Sequence, residues 1–176
     1  MSDFDKVIEP ITSFLKGYNF SVAEKHNNYV KYESTKTSIL VGYDEREHYY
    51  FTIVGDKLNI SIPLDVTNLT NVFKYDTEKF ITRPFEEFFI DFFTTNGKLI
   101  LTGNRNTFEA LKSDRDKRSE EYTKQLLHLQ NLDAADKAWA LNNYLDFVRH
   151  LSFIDMASLP KSYELKYSIA KKKLNE

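Results

Sequence analysis

The sequence predicts an α+β fold: an N-terminal helix and an antiparallel β-meander of about five strands, followed by a C-terminal helical part. Three observations carry that reading. Apolar spacing is helical up to Gly17, changes to short β-type runs between Phe20 and Ile62, and becomes helical again after Pro63. The links between the β-type runs are short and rich in turn residues, which suits antiparallel neighbours, because a parallel pair needs a crossover of roughly a dozen residues or more. Finally, Phe85, Phe88, Phe89, Phe92 and Phe93 stand at i, i+3, i+4, i+7 and i+8, the stripe of a helix buried along one side.

In chain order, Ser2 and Asp5 have capping-box spacing ahead of Phe4, Val7, Ile8, Ile11, Phe14 and Leu15. Gly17 can then serve as the left-handed residue that closes the helix. Pro10 lacks a backbone donor and predicts a kink, or a start later than Ser2. The β-type runs are 20–24, 29–33, 38–43, 49–54 and 57–62, separated by Asn27-Asn28, 34–37, 44–47 and Gly55-Asp56. In the last run Leu58, Ile60 and Ile62 alternate with Lys57, Asn59 and Ser61, so one sheet face should be covered and the other wet.

After Pro63 the strands should stop. Val66, Leu69, Val72 and Phe73 predict a short helix, and Phe80-Ile81 a connector. Pro84 suits the first position of the phenylalanine helix, which has Glu86 and Glu87 in its first turn and Asn96-Gly97 at its end. Residues 98–102 read either as a sixth short strand or as an apolar linker. Asn106 and Glu109 have capping spacing for a helix to 128 or 129, and Asp133 can cap another. The stripe of that next helix would bury Ala138, Leu141, Leu145, Val148 and Leu151, widened by Trp139, Tyr144 and Phe147. Pro160 separates it from a last helix over 162–174, with Tyr163 and Tyr167 on the buried side. The organisation expected is a single domain over 1–176, with sub-parts 1–63 and 64–176. The phenylalanine helix should be its spine, covering the sheet and receiving the C-terminal helices.

Composition excludes whole classes of chemistry. Without cysteine there is no disulfide, no thiol catalysis and no cysteine-ligated zinc or iron–sulfur site. A formal charge of −2 with both signs interspersed provides no global field for nucleic acid or an acidic membrane. The N-terminus shows no basic and apolar signal pattern and no run is long enough to span a bilayer, so the expected location is cytoplasmic. His26, His48, His128 and His150 have no metal-ligand spacing, and the five glycines form no phosphate-binding loop, so neither metal nor cofactor is expected. No serine sits in a Gly-x-Ser-x-Gly elbow.

Charge patterning leaves two candidate surfaces. Asp44, Glu45 and Glu47 surround Arg46 in one predicted hairpin loop, where an exposed acidic turn suits docking to a basic partner better than proton transfer. The stretch 113–121 is polar all round, with Asp114, Arg115, Arg118 and Glu121 as candidate contacts and Asp114/Arg118, Lys117/Glu121 and Glu120/Lys124 as i,i+4 pairs. From Phe108 through Leu111, Arg115, Arg118, Tyr122 and Leu129, arginines interrupt an otherwise apolar heptad, which predicts an exposed seam rather than a continuous coiled coil. Lys161, Lys166, Lys171, Lys172 and Lys173 are the one basic concentration, and helix-end lysines complement the helix dipole without any nucleic acid.

The tyrosine-rich meander with Val30-Lys31-Tyr32-Glu33-Ser34 and Val41-Gly42-Tyr43-Asp44-Glu45-Arg46, followed by a helical half with Tyr144-Leu145-Asp146-Phe147-Val148, resembles small bacterial toxin-immunity proteins. That resemblance implies a non-catalytic protein that binds and neutralises a cognate toxin. The alternative expectation is an enzyme whose acidic, tyrosine and histidine residues converge from distant segments, which requires a deep pocket holding a desolvated carboxylate or histidine.

Overall fold

The computed structural model describes residues 3–57, 60–78 and 82–175. The Ser2 cap, positions Leu58 and Asn59 of the fifth β-type run, and the Phe80-Ile81 connector lie outside these residues. The arrangement is α+β: an N-terminal helix, a five-stranded antiparallel sheet and C-terminal helices. Two compact units divide at 116/117, well past the change of period at 63/64: Met1–Asp116 and Lys117–Glu176.

In the first unit, α1 (Asp3–Lys16) buries Phe4, Ile8, Ile11 and Leu15, one residue per turn. Pro10 stands within it on the exposed side. Gly17 is not its left-handed terminator. Asn19 takes that role at φ 63°, and the Phe20 N–H bonds Leu15 O while the Asn19 N–H bonds Lys16 O, each at 3.1 Å. This is the Schellman pairing, and asparagine tolerates the left-handed region well enough to replace glycine in it.

The strands are β1 (Ser21–Lys25), β2 (Tyr29–Glu33), β3 (Thr37–Asp44), β4 (Tyr49–Asp56) and β5 (Ser61–Leu64), neighbouring in chain order as a meander. Their register builds two cross-strand rows on the covered face, Val30–Val41–Thr52–Leu64 and Tyr32–Ile39–Val54–Ile62. Such rows are the unit of sheet stabilisation, because directly opposed side chains touch. Strand β5 begins later than its alternation suggested and continues through Pro63, which an edge strand accommodates because no further strand needs its N–H. At the other edge, every residue of β1 is exposed and a register shift between Val22 and Glu24 interrupts the ladder. A bulged, charged edge resists pairing with other chains.

Helix α2 (Val66–Asn71) starts at a reciprocal capping box between Asp65 and Asn68, and the buried Asn68 amide also donates to Pro63 O at 2.8 Å. The phenylalanine helix α3 (Phe85–Thr94) buries Phe88, Phe89, Phe92 and Phe93, and Pro84 is its N-cap rather than its first residue. Gly97 has no side chain for a packing reason, since a Cβ there would lie 2.4 Å from the Phe92 ring. Residues 98–101 are neither strand nor linker but a helical turn, α4 (Lys98–Leu101), which buries Ile100 and Leu101. All of these side chains join one core with Phe4, Leu15, Val41 and Phe108.

Helix α5 (Arg105–Ala140) is continuous where two helices were expected. Asn104 caps it, accepting the Thr107 N–H at 3.1 Å, and Asn106 and Glu109 are already inside. Asp133 is not a cap either, because its carboxylate pairs with Lys137 at 2.6 Å within the helix. The real break is at Asn142, φ 57°, where Asn143 and Asn142 donate to Ala138 O and Trp139 O in a second Schellman pairing. Beyond it lie α6 (Tyr144–Leu151) and, after a 3₁₀ turn at Met156–Ser158, α7 (Lys161–Leu174). The second unit has its own core of Ala135, Ala138, Phe147, Leu151, Ile154 and Ala170, with Trp139, Tyr163 and Tyr167 against it. The break also removes Leu141 and Leu145 from the expected stripe, leaving them 79% and 66% exposed. The phenylalanine helix is thus the spine of the first core, and the C-terminal helices pack around a different one.

Two stability predictions follow from this packing. Phe92→Ala should cost about 3–5 kcal/mol in chemical denaturation, since the ring is fully buried. Among the described residues Thr52 Oγ1 is a buried hydroxyl without a hydrogen-bond partner. Thr52→Val keeps its shape and removes that desolvated group, so it should raise stability by about 1 kcal/mol in the same assay.

Candidate functional site

The first candidate surface is the β3–β4 hairpin tip. Tyr43 and Asp44 pair with Tyr50 and Tyr49 across the last rungs of the ladder, so the strands hold both ends of a four-residue loop. The Asp44 carboxylate accepts the Arg46 and Glu47 N–H groups at 2.8 and 3.1 Å. Those Glu47 and Arg46 donors stabilise the charged form and hold Asp44 below the ordinary carboxylate range. His48 completes the turn at φ 55°, its Nδ1 3.2 Å from the Tyr43 hydroxyl. Asp44 therefore shapes the tip through one carboxylate oxygen, Oδ1. Glu45, Arg46 and Glu47 are exposed, and among the described residues none of their side chains makes an ion pair or hydrogen bond.

The polar belt is distributed differently. Asp114 accepts the Asn71 amide at 2.9 Å, and Arg115 reaches Asp116 at 3.0 Å and Ser61 O at 3.5 Å. These two residues tie the start of α5 to α2 and β5 within the first unit. Arg118 and Glu121 belong to the second unit, where Glu120 and Lys124 form the expected i,i+4 pair at 3.0 Å. The belt is consequently divided between the two units, with Asp114 and Arg115 in the first and Arg118 and Glu121 in the second.

Tertiary contacts bring together two further polar groups that spacing alone did not reveal. The Tyr75 hydroxyl donates to Asp91 at 2.6 Å, with Arg83 3.6 Å from the same carboxylate. Burial, then the Asp91 bond, pushes the Tyr75 hydroxyl far above its usual range. In the second unit Tyr163 donates to Asp136 at 2.7 Å, and Lys166 lies 3.4 Å from that carboxylate and 4.8 Å from the Tyr163 ring centre. Lys166 also stands over Trp139, and Lys171 over Tyr167, so part of the basic concentration on α7 covers aromatic rings of its own unit.

The histidines do not converge on one site. His26 stacks on Tyr29 and sits 2.8 Å from Glu24, while His150 contacts Asn131 at 3.3 Å. Among the described residues no three His, Asp or Glu side chains are placed to hold a metal ion. A concavity of about 540 Å³ beside α1 contains Asp5, Glu9, Lys16 and Lys25, with Asp5 and Lys25 paired at 2.9 Å and partly solvated. A solvated ion pair is not the desolvated acid that the enzyme reading requires.

One feature was hidden from the sequence. Most large apolar side chains that are exposed among the described residues belong to the second unit, including Tyr122, Leu126 and Leu129 on α5 and Leu165 on α7. The interrupted heptad was the available signal, but burial of its apolar members could not be judged without the fold. No helix among the described residues is long and apolar enough to cross a membrane. No protein family, curated protein or solved structure matches the chain.

Burial of the Tyr163 hydroxyl, together with its bond to Asp136, predicts an alkaline effect. A hydroxyl whose folded pKa is raised keeps its stabilising contribution below the unfolded value of 10.0 and loses it as pH rises through about 12. Thermal unfolding should therefore show wild type losing its advantage over Tyr163→Phe across that window. A constant difference between the two would contradict the assignment.

Proposed function

We propose that this chain is a non-catalytic protein-binding protein, and that it acts as an immunity protein by docking a basic toxin surface on the β3–β4 tip. The observation that carries this reading is the preformed loop: Asp44 orders the backbone from within, while Glu45 and Glu47 are presented to solvent outside any ion pair. A loop already in one conformation loses less entropy on binding than a mobile one. Two unpaired carboxylates beside a single arginine favour a cationic partner and accelerate encounter with it. The resemblance to toxin-immunity proteins supplies the class of partner, and Arg46 and the tyrosines at the base of the hairpin supply the residue types that interfaces favour.

Crosslinking and affinity recovery from the native host test the proposal. The full chain should retain one basic protein in stoichiometric amount, and Glu45→Lys with Glu47→Lys should reduce recovery by roughly tenfold or more while leaving the melting temperature nearly unchanged. Recovery of the free chain alone, or of a partner indifferent to both reversals, would reject the tip as the docking surface.

A further inference from the structure

We propose that the second unit associates with a second copy of the same chain, through an antiparallel contact along residues 118–133 of α5. Arg118, Tyr122, Leu126, Leu129 and Asp133 follow one another at steps of four, four, three and four, and so lie along one side of the helix over about 22 Å. The middle of this stripe is apolar yet exposed, with Tyr122 at 67%, Leu126 at 42% and Leu129 at 62%. It is not part of the second core, which α5 enters through Leu132, Ala135, Ala138 and Trp139.

The charges at its ends identify the occupant. The stripe begins in a cation and ends in an anion, so turned end for end it is complementary to itself. A two-fold axis near Leu126 sets Tyr122 against Leu129 of the second copy and Arg118 against its Asp133, twice over, as an isologous interface requires. A parallel arrangement instead puts Arg118 beside Arg118 and Asp133 beside Asp133, which like-charge repulsion disfavours. Asp133 already pairs with Lys137 and half-buried Arg118 already has a partner in its own chain; the Asp133 side chain is 65% exposed and a guanidinium carries five donors, so each can take a second partner without leaving the first. The apolar centre supplies affinity and the charged ends supply orientation. One helix pair is a small contact beside the roughly 800 Å² per partner of a standard interface, so association is expected at micromolar concentrations or above. This surface is independent of the hairpin tip.

Sedimentation of the full chain over a concentration series from micromolar to near-millimolar tests the contact. Apparent mass should rise from 20.7 kDa toward twice that value. Leu126→Glu and the milder Leu126→Gln should each weaken association by roughly tenfold or more, with circular dichroism confirming unchanged helix content. Arg118→Asp makes the stripe acidic at both ends and Asp133→Arg makes it basic at both ends, so each variant alone should remain monomeric. Mixed in equal amounts they should form a heterodimer in which both end contacts are restored. A monomer at every concentration overturns the proposal and leaves the tip's partner unaffected. A dimer that ignores the Leu126 variants, or charge variants that associate no better together than apart, overturns it equally.

Discussion

Four phenylalanine rings from a single helix determine how the first unit is built. Phe88, Phe89, Phe92 and Phe93 are buried, and neighbouring elements meet the faces and edges of this helix's rings. Phe14 of α1 meets Phe89 edge-on, Tyr50 of the sheet stacks on Phe85, and Phe73 and Tyr75 approach Phe92 at right angles. Rings in such arrangements are rigid and directional, so they specify orientation as well as burial. Their demands extend into the backbone. Gly97 must lack a Cβ because Phe92 occupies its space, and the chain turns immediately there into α4, whose Ile100 and Leu101 close the same core.

With that core fixed, the meander can expose a loop whose order does not depend on burial. The hairpin tip is organised by a carboxylate bonding its own backbone, and the strands below it stay in register because Val30, Val41 and Thr52, and Tyr32, Ile39 and Val54, face the aromatic layer. A one-residue slip would move every one of those side chains to the wet face. The tip is thus held at both ends by paired strands and shaped internally by Asp44, and Glu45 and Glu47 are exposed on it. The second unit differs in kind. Its core is small and partly alanine, and its helices retain apolar side chains on faces that point away from it. The self-association proposed above would cover part of one of those faces, the stripe with Tyr122, Leu126 and Leu129.

Several errors of sequence reading share one cause. Gly17 was the expected helix terminator, and no break was expected at 141–143, yet asparagine occupies the left-handed position at both Asn19 and Asn142. Asparagine pays a modest steric cost for that conformation, so its presence is compatible with either outcome and tertiary packing decides. Asp133 and Asn106 likewise carry capping chemistry, but side chains that can cap can also sit inside a helix when neighbours such as Lys137 satisfy them. Residues 98–102 were ambiguous because the short apolar run Leu99-Ile100-Leu101 has no period to read.

Local chemistry was enough to determine the sequence of N-terminal helix, antiparallel meander and helical part, the buried face of the phenylalanine helix and the acidic composition of the hairpin tip. Each follows from periodicity or turn residues within a short window, where the physics is that of neighbours along the chain. The division into two cores, the continuity of α5 across the expected break and the exposure of Tyr122, Leu126 and Leu129 were decided only by the tertiary structure. Whether an apolar residue is core or surface depends on which distant segment arrives to cover it, and an amphipathic pattern is the same whether that segment belongs to this chain or to another.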